Sequence, residues 1–248
     1  MNEASLLDDD GFRVRGTAPS RIDAFVDAAF AFAVTLLVIS IGHVPESVAE
    51  LVQAMRGVPA FAASFFVIVR LWLMHRHWSR RYGLEDSYST RLSLMLVFLM
   101  LVYVYPLRMI AELTLAALSR GTLVETAIQV TTVAELRTLY VVFGVGYALT
   151  SLIFYFMHRH ALALADELDL SRAERIRTRT ILLRLKLILA IAALSTILAL
   201  TLPMGVTQTI PFDALPGLIY ILIYVTAVVL RRRQGRLLAE SGLPEQAR

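Results

Sequence analysis

A chain of 248 residues that is 57% hydrophobic, with mean hydropathy +0.65, is too apolar for a soluble domain. Its net charge of +4 comes almost wholly from arginine, Lys186 being the one lysine; the arginines sit beside apolar runs, so they read as topology signals and exclude a nucleic-acid surface. The absence of cysteine excludes disulfides, thiolate metal sites and a cysteine nucleophile.

Residues 1–20 carry Asp8, Asp9, Asp10, Arg13 and Arg15 and lack the apolar core of a secretory signal, so insertion is expected through the first span. That span, Arg21 to about Gly42, has the length that crosses a bilayer and stops at Gly42 and Pro45. Ser47 to Arg56 is a short amphipathic segment. A second span begins at Pro59 and closes on Arg76, His77, Arg80 and Arg81. Gly83 to Thr90 reads as a polar connection, and a third span runs from about Leu92 to Leu107 with Pro106 near its end. Leu113 to Glu135 is mixed in composition and is expected to form an outer loop, with room in it for a surface helix.

The fourth span, about Thr138 to Met157, holds Gly144 and Ala148 at a spacing that lets membrane helices approach closely. Glu167 to Arg179 is strongly charged and is expected in water. Ile181 to Leu202 gives a fifth span, with Arg184 and Lys186 able to snorkel. Pro211 and Pro216 open a sixth, which ends at Arg231, Arg232 and Arg233. The fold class is therefore all-α, a polytopic membrane protein of six transmembrane helices: a tail at 1–20, a transmembrane domain at 21–232 and a second tail at 233–248. Arginine lies at both ends and in the second-to-third and fourth-to-fifth connections, whereas Met204 to Ile210 is uncharged, which places both termini in the cytoplasm.

Within the first span, Asp27 lies about 6 Å of helix rise from Asp23. An unpaired carboxylate at that depth costs several kcal/mol or takes up a proton, so it needs a partner. His75 is expected at matching depth on the antiparallel second span, with Arg70 deeper. Ala28, Ala31, Phe32, Thr35 and Ile39 form another stripe. A threonine flanked by bulky apolar residues suits either ordinary helix packing or a gated pore wall, and periodicity does not choose between them. Met74 to His77 and Met157 to His160 both read M-H-R-H, but residues two apart diverge by about 200° on a helix, so interface anchoring is expected and metal binding is not. No H-E-x-x-H, Walker loop, G-x-S-x-G or T-V-G-Y-G is present, which argues against an enzyme.

Arg21, Phe25, Asp27, Phe30, Ala31, Ala33, Thr35, Leu36, Leu37 and Val38 stand in register with a known first-helix signature. Ser64, Phe65, Val67, Ile68, Trp72, Leu73 and His75 match its second helix, and Pro106 the end of its third. Through these residues the chain resembles the prokaryotic branch of the transmembrane protein 175 family of potassium channels. The resemblance implies a potassium-permeable channel in the cell membrane, with no cofactor, built as a homotetramer with its first helices around the axis. Phe32 and Ile39 fall on the constriction positions, Thr35 on the hydroxyl position, and Ala28 and Ala31 along the lining. Arg21, Asp27, Trp72 and His75 match a structural polar network. Three departures stand out: Val26 replaces a serine, Met95 an asparagine, and Phe32 a smaller aliphatic residue. The alternatives are a proton-permeable channel or proton-coupled transporter using Asp27 and His75, and a non-conducting membrane scaffold.

Overall fold

Local signals start the helices where side chains can satisfy the free backbone N–H groups of a first turn. Ser20 accepts from the Asp23 N–H while Asp23 accepts from the Ser20 N–H, a reciprocal cap that opens α1 (Arg21–Ile39). The same device opens α5 (Val133–Ala163) through Thr132 and Glu135, and α6 (Arg172–Thr201) through Ser171 and Glu174. In chain order α2 (Val48–Met55), α3 (Val58–Tyr82) and α4 (Ser87–Ser119) lie between α1 and α5. After α6 come α7 (Leu215–Leu218), a 3-10 turn (Ile219–Ile221) and α8 (Leu222–Glu240). α3 ends on Gly83 in the left-handed conformation (φ 59°), where a side chain would press on the backbone at Arg15 and Gly16. This computed structural model describes residues 7–8, 10–40, 44–119, 128, 130–203 and 215–240.

Six helices are long and apolar enough to cross a membrane, and no strand is found among the described residues. They pack as two groups: α1, α3 and α4 in mutual contact, and α5, α6 and α8 in the second, with α4 against α5 joining them. The core runs along the seam, where Val26, Phe30, Ala33 and Leu37 of α1 are buried with Ile68 of α3 and Leu92, Leu96, Val97 and Met100 of α4.

Several boundaries differ from those expected. α4 continues through Pro106 to Ser119 and α5 begins at Val133, so both flanks of the expected outer loop are helical; Gly121 and Glu125 lie outside the described residues. Gly42 and the segment from Met204 to Ile210 also lie outside them. α8 passes residue 232, the expected end of the membrane domain, and reaches Glu240. The charged stretch expected in water becomes the first turns of α6, and Glu174, Arg177 and Thr178 in it are buried. Charge density measures distance from lipid, and here helices extend beyond the apolar layer into a protein-covered cap.

That cap is made by residues 7–8 and 10–16, part of the expected tail. Phe12 is buried edge-on to Tyr82, ring centroids 6.1 Å apart, with the Arg81 guanidinium 4.5 Å from its ring. Arg15 grips Glu174 with two bonds, 2.8 and 3.1 Å, and donates to the Leu168 and Arg81 carbonyls. Arg81 pairs with Asp8 at 2.7 Å and with Asp10, while Arg177 donates to the Gly11 carbonyl. The segment thus bolts the end of α3 to the start of α6.

The α4–α5–α6 seam depends on two glycines. A Cβ on Gly146 would fall within the Tyr103 ring of α4, and one on Gly144 would strike the Thr196 hydroxyl of α6. Gly144 belongs to the small-residue spacing with Ala148 seen in the sequence; Gly146, two residues on, faces the opposite way, so each glycine seats a different neighbour.

Candidate functional site

α1 divides lengthwise. Val26, Phe30, Ala33 and Leu37 turn into the subunit, which leaves Ala28, Ala31, Phe32, Thr35 and Ile39 exposed on the other side. Phe32 is 55% and Ile39 61% accessible, in a helix whose opposite face is fully packed. At 1.5 Å rise per residue, Phe32 and Ile39 lie about 10 Å apart along the axis with Thr35 between them. The Thr35 hydroxyl donates to the Ala31 carbonyl at 3.2 Å, which leaves its oxygen lone pairs outward. All five residues of the expected stripe therefore share one surface on which nothing else in the described chain packs.

The polar residues behind that stripe are arranged differently from the expected single network. Asp27 accepts from the Trp72 indole N–H at 2.6 Å, and the Trp72 ring carries the Arg76 guanidinium 5.5 Å from its centre. His75 is buried and pairs with the Ser93 hydroxyl of α4 at 3.0 Å rather than with Asp27. Arg21 is exposed and makes no hydrogen bond with a described residue. Two separate ties therefore hold the bundle, α1 to α3 through Asp27 and Trp72, and α3 to α4 through His75 and Ser93. Depth matching found the right helix for Asp27 and the wrong residue on it: on antiparallel helices the long indole three residues before His75 reaches the carboxylate first. Arg76, four residues after Trp72, lies one helical turn on, and that spacing puts its guanidinium beside the indole.

Two substitutions in the signature find physical accounts. Val26 is completely buried, so a hydroxyl's place is taken by core packing. Met95 points outward, 58% exposed, and Ser93 supplies the α4 hydroxyl that His75 uses. Asp23, one turn before Asp27, is occupied by the helix cap and accepts from both the backbone and the hydroxyl of Ser20. At the far end of α1, Arg108 donates to Ser40 at 2.6 Å and ties α1 to α4.

The two M-H-R-H segments are not equivalent interface anchors. His158 is buried, its Nδ1 donating to the Phe154 carbonyl at 2.9 Å and its ring meeting Tyr82 edge-on. His160 bonds Asp86 in the α3–α4 connection at 3.0 Å. Burial works against the charged form of Asp86, but hydrogen bonds from His160, Ser89 and Tyr88 outweigh it and hold the carboxyl pKa down, to about 2.

The comparisons with known proteins fall on the same residues. The family pattern described as "Endosomal/lysosomal potassium channel TMEM175" matches residues 21–106, which span α1 and α3 and reach Pro106 of α4. A protein named "Potassium channel" from Marivirga tractuosa is 42% identical over 101 residues, 41% of this chain, and the match spans 40% of that channel's length. The crystal structure of a point variant of the potassium channel MtTMEM175, solved with a Nanobody-MBP fusion protein, superposes with a TM-score of 0.77 at 30% identity, covering 91% of this chain and 97% of that one. A six-helix membrane bundle with a first helix left half bare, matched in sequence through its first three spans and in shape over nearly its whole length, belongs to the TMEM175 potassium channel family.

Proposed function

We propose that several copies of this chain, four by resemblance to the bacterial family members, assemble in the cell membrane with both termini in the cytoplasm and the bare face of α1 toward a common axis. Each copy carries one such face, so a closed ring needs identical neighbours. The path along the axis is potassium-permeable and passive, squeezed at Phe32 and Ile39 with Thr35 as the polar layer between and Ala28 and Ala31 widening the wall. The observation that carries this reading is the division of α1 into a packed half and an unpartnered half bearing all five of those residues. A proton-exchanging Asp27–His75 pair has less support, because each side chain is bonded to a different neighbour.

The test is a reversal-potential measurement on the purified chain in liposomes under mixed potassium and sodium. The parent should reverse near the potassium equilibrium potential, and Phe32→Ala should raise the current or weaken that preference. Absence of potassium flux at every voltage and pH would overturn the proposal, as would a Phe32→Ala current identical to the parent's.

A further inference from the structure

Where α6 starts and α8 ends, the two helices part around a cavity of about 440 Å³ lined by Arg172, Arg175, Ile176 and Arg179 on one side and Leu237 and Glu240 on the other. On α6 the three arginines lie at i, i+3 and i+7 and so project from one face. Arg175 is committed, donating to Asp166 at 2.6 Å and to the Leu170 carbonyl. Arg172 and Arg179 make no hydrogen bond or ion pair with a described residue. The one acid of the lining, Glu240, is outnumbered further along α8, because Arg236 and Arg233, four and seven residues before it, share its flank. Like charges repel at these spacings, so an anion in the cleft would relieve them.

The depth of the cleft narrows the choice of anion. The apolar run of α6 begins at Ile181, two residues after Arg179, and that of α8 ends at Leu230, three before Arg233. At 1.5 Å per residue Arg179 and Arg233 stand about 3 to 5 Å from the hydrocarbon boundary, the level of phospholipid phosphates, and Arg236 and Arg172 about 9 and 14 Å, from where their long side chains reach back toward it. Along α8, Leu222, Val225 and Val229 continue the flank of Arg233, Arg236 and Glu240 at the same helical spacing, and all three are about half exposed. An apolar stripe running up from a basic cleft matches the two halves of a lipid, and the cleft is far roomier than a bare phosphate ion needs.

We propose that this cleft binds the phosphate of an anionic phospholipid, with Arg172 and Arg179 as its free ligands, Arg233 and Arg236 at its rim, and the Leu222, Val225 and Val229 flank under an acyl chain. The experiment measures lipid retained by the purified full-length protein, by native mass spectrometry, after exchange against phosphatidylglycerol or phosphatidylcholine. The parent should retain phosphatidylglycerol selectively. Arg172→Gln with Arg179→Gln should cut retention by about fivefold for each arginine removed, whereas Arg91→Gln, an exposed arginine on α4, should not change it. Leu237→Trp fills the cleft without altering charge and should also lower retention. Unchanged retention in the double variant, an equal loss in Arg91→Gln, full retention in Leu237→Trp, or displacement of the lipid by millimolar inorganic phosphate would each overturn the assignment. The readout is bound lipid rather than ion flux, so it stands or falls separately from the conduction reading.

Discussion

Removing Arg15 tests whether residues 7–8 and 10–16 are part of the fold. In the Arg15–Glu174 pair the side chains are only 13% and 3% exposed, and two bonds, 2.8 and 3.1 Å, join the two guanidinium nitrogens to the two carboxylate oxygens. A buried pair of this kind costs about 3 to 5 kcal/mol when one partner is removed, because the other is left charged and dry. Arg15→Ala should fall near the lower bound, about 3 kcal/mol, since Glu174 keeps the N–H groups of Arg13 and Ser171 and water enters the space vacated. Arg15→Met with Glu174→Gln removes both charges of this pair and should recover a large part of that loss. A double-mutant cycle by reversible unfolding in detergent supplies the measurement, with hydrogen exchange at Phe12 and Arg13 as the local readout. Singles that each cost under about 1 kcal/mol and add without coupling would show an ordinary surface pair and refute the reasoning.

Other consequences can be measured in the same preparation. Gly146→Val should destabilise the bundle by more than the roughly 1 to 3 kcal/mol usual for overpacking, because the added atoms meet the Tyr103 ring rather than a flexible tip; thermal unfolding reads it. Trp72→Phe removes the donor to Asp27 and should loosen α1 from α3 by about 1.5 to 3 kcal/mol, visible as faster hydrogen exchange in the first turns of α1. Asp86 has a folded pKa below its unfolded one, so its contribution is present above pH about 4 and disappears as pH falls toward about 2. Acid unfolding of Asp86→Asn should accordingly be less steep across that window than the parent's.

The apolar runs carried the architecture because a bilayer demands uninterrupted length and arginine marks its edges; the six spans needed no long-range information. The same logic leaves the helix ends open, since composition does not show that α4 runs on to Ser119 or that α6 begins at Arg172 inside the charged stretch. Thr132-x-x-Glu135 and Ser171-x-x-Glu174 are helix-start signatures present in the sequence, and they mark where α5 and α6 begin. The stripe on α1 was legible from periodicity, since a helix packed on one side alone shows its burial at 3.6-residue spacing. The partners of Asp27 and His75 were not, because side-chain reach decides between residues one turn apart. Nor was the grip of Arg15 on Glu174, 159 residues away, for which no local pattern exists.

Between Gly16, whose N–H is bonded to the Arg80 carbonyl, and Arg21, the first residue of α1, lie only four residues. Fully stretched, the five steps from Gly16 to Arg21 reach about 17 Å, so the first turn of α1 moves on a short leash anchored to the third and sixth helices. Any tilt or rotation that widens or narrows the space beside Phe32 must either stay within that leash or first release Phe12 from its socket.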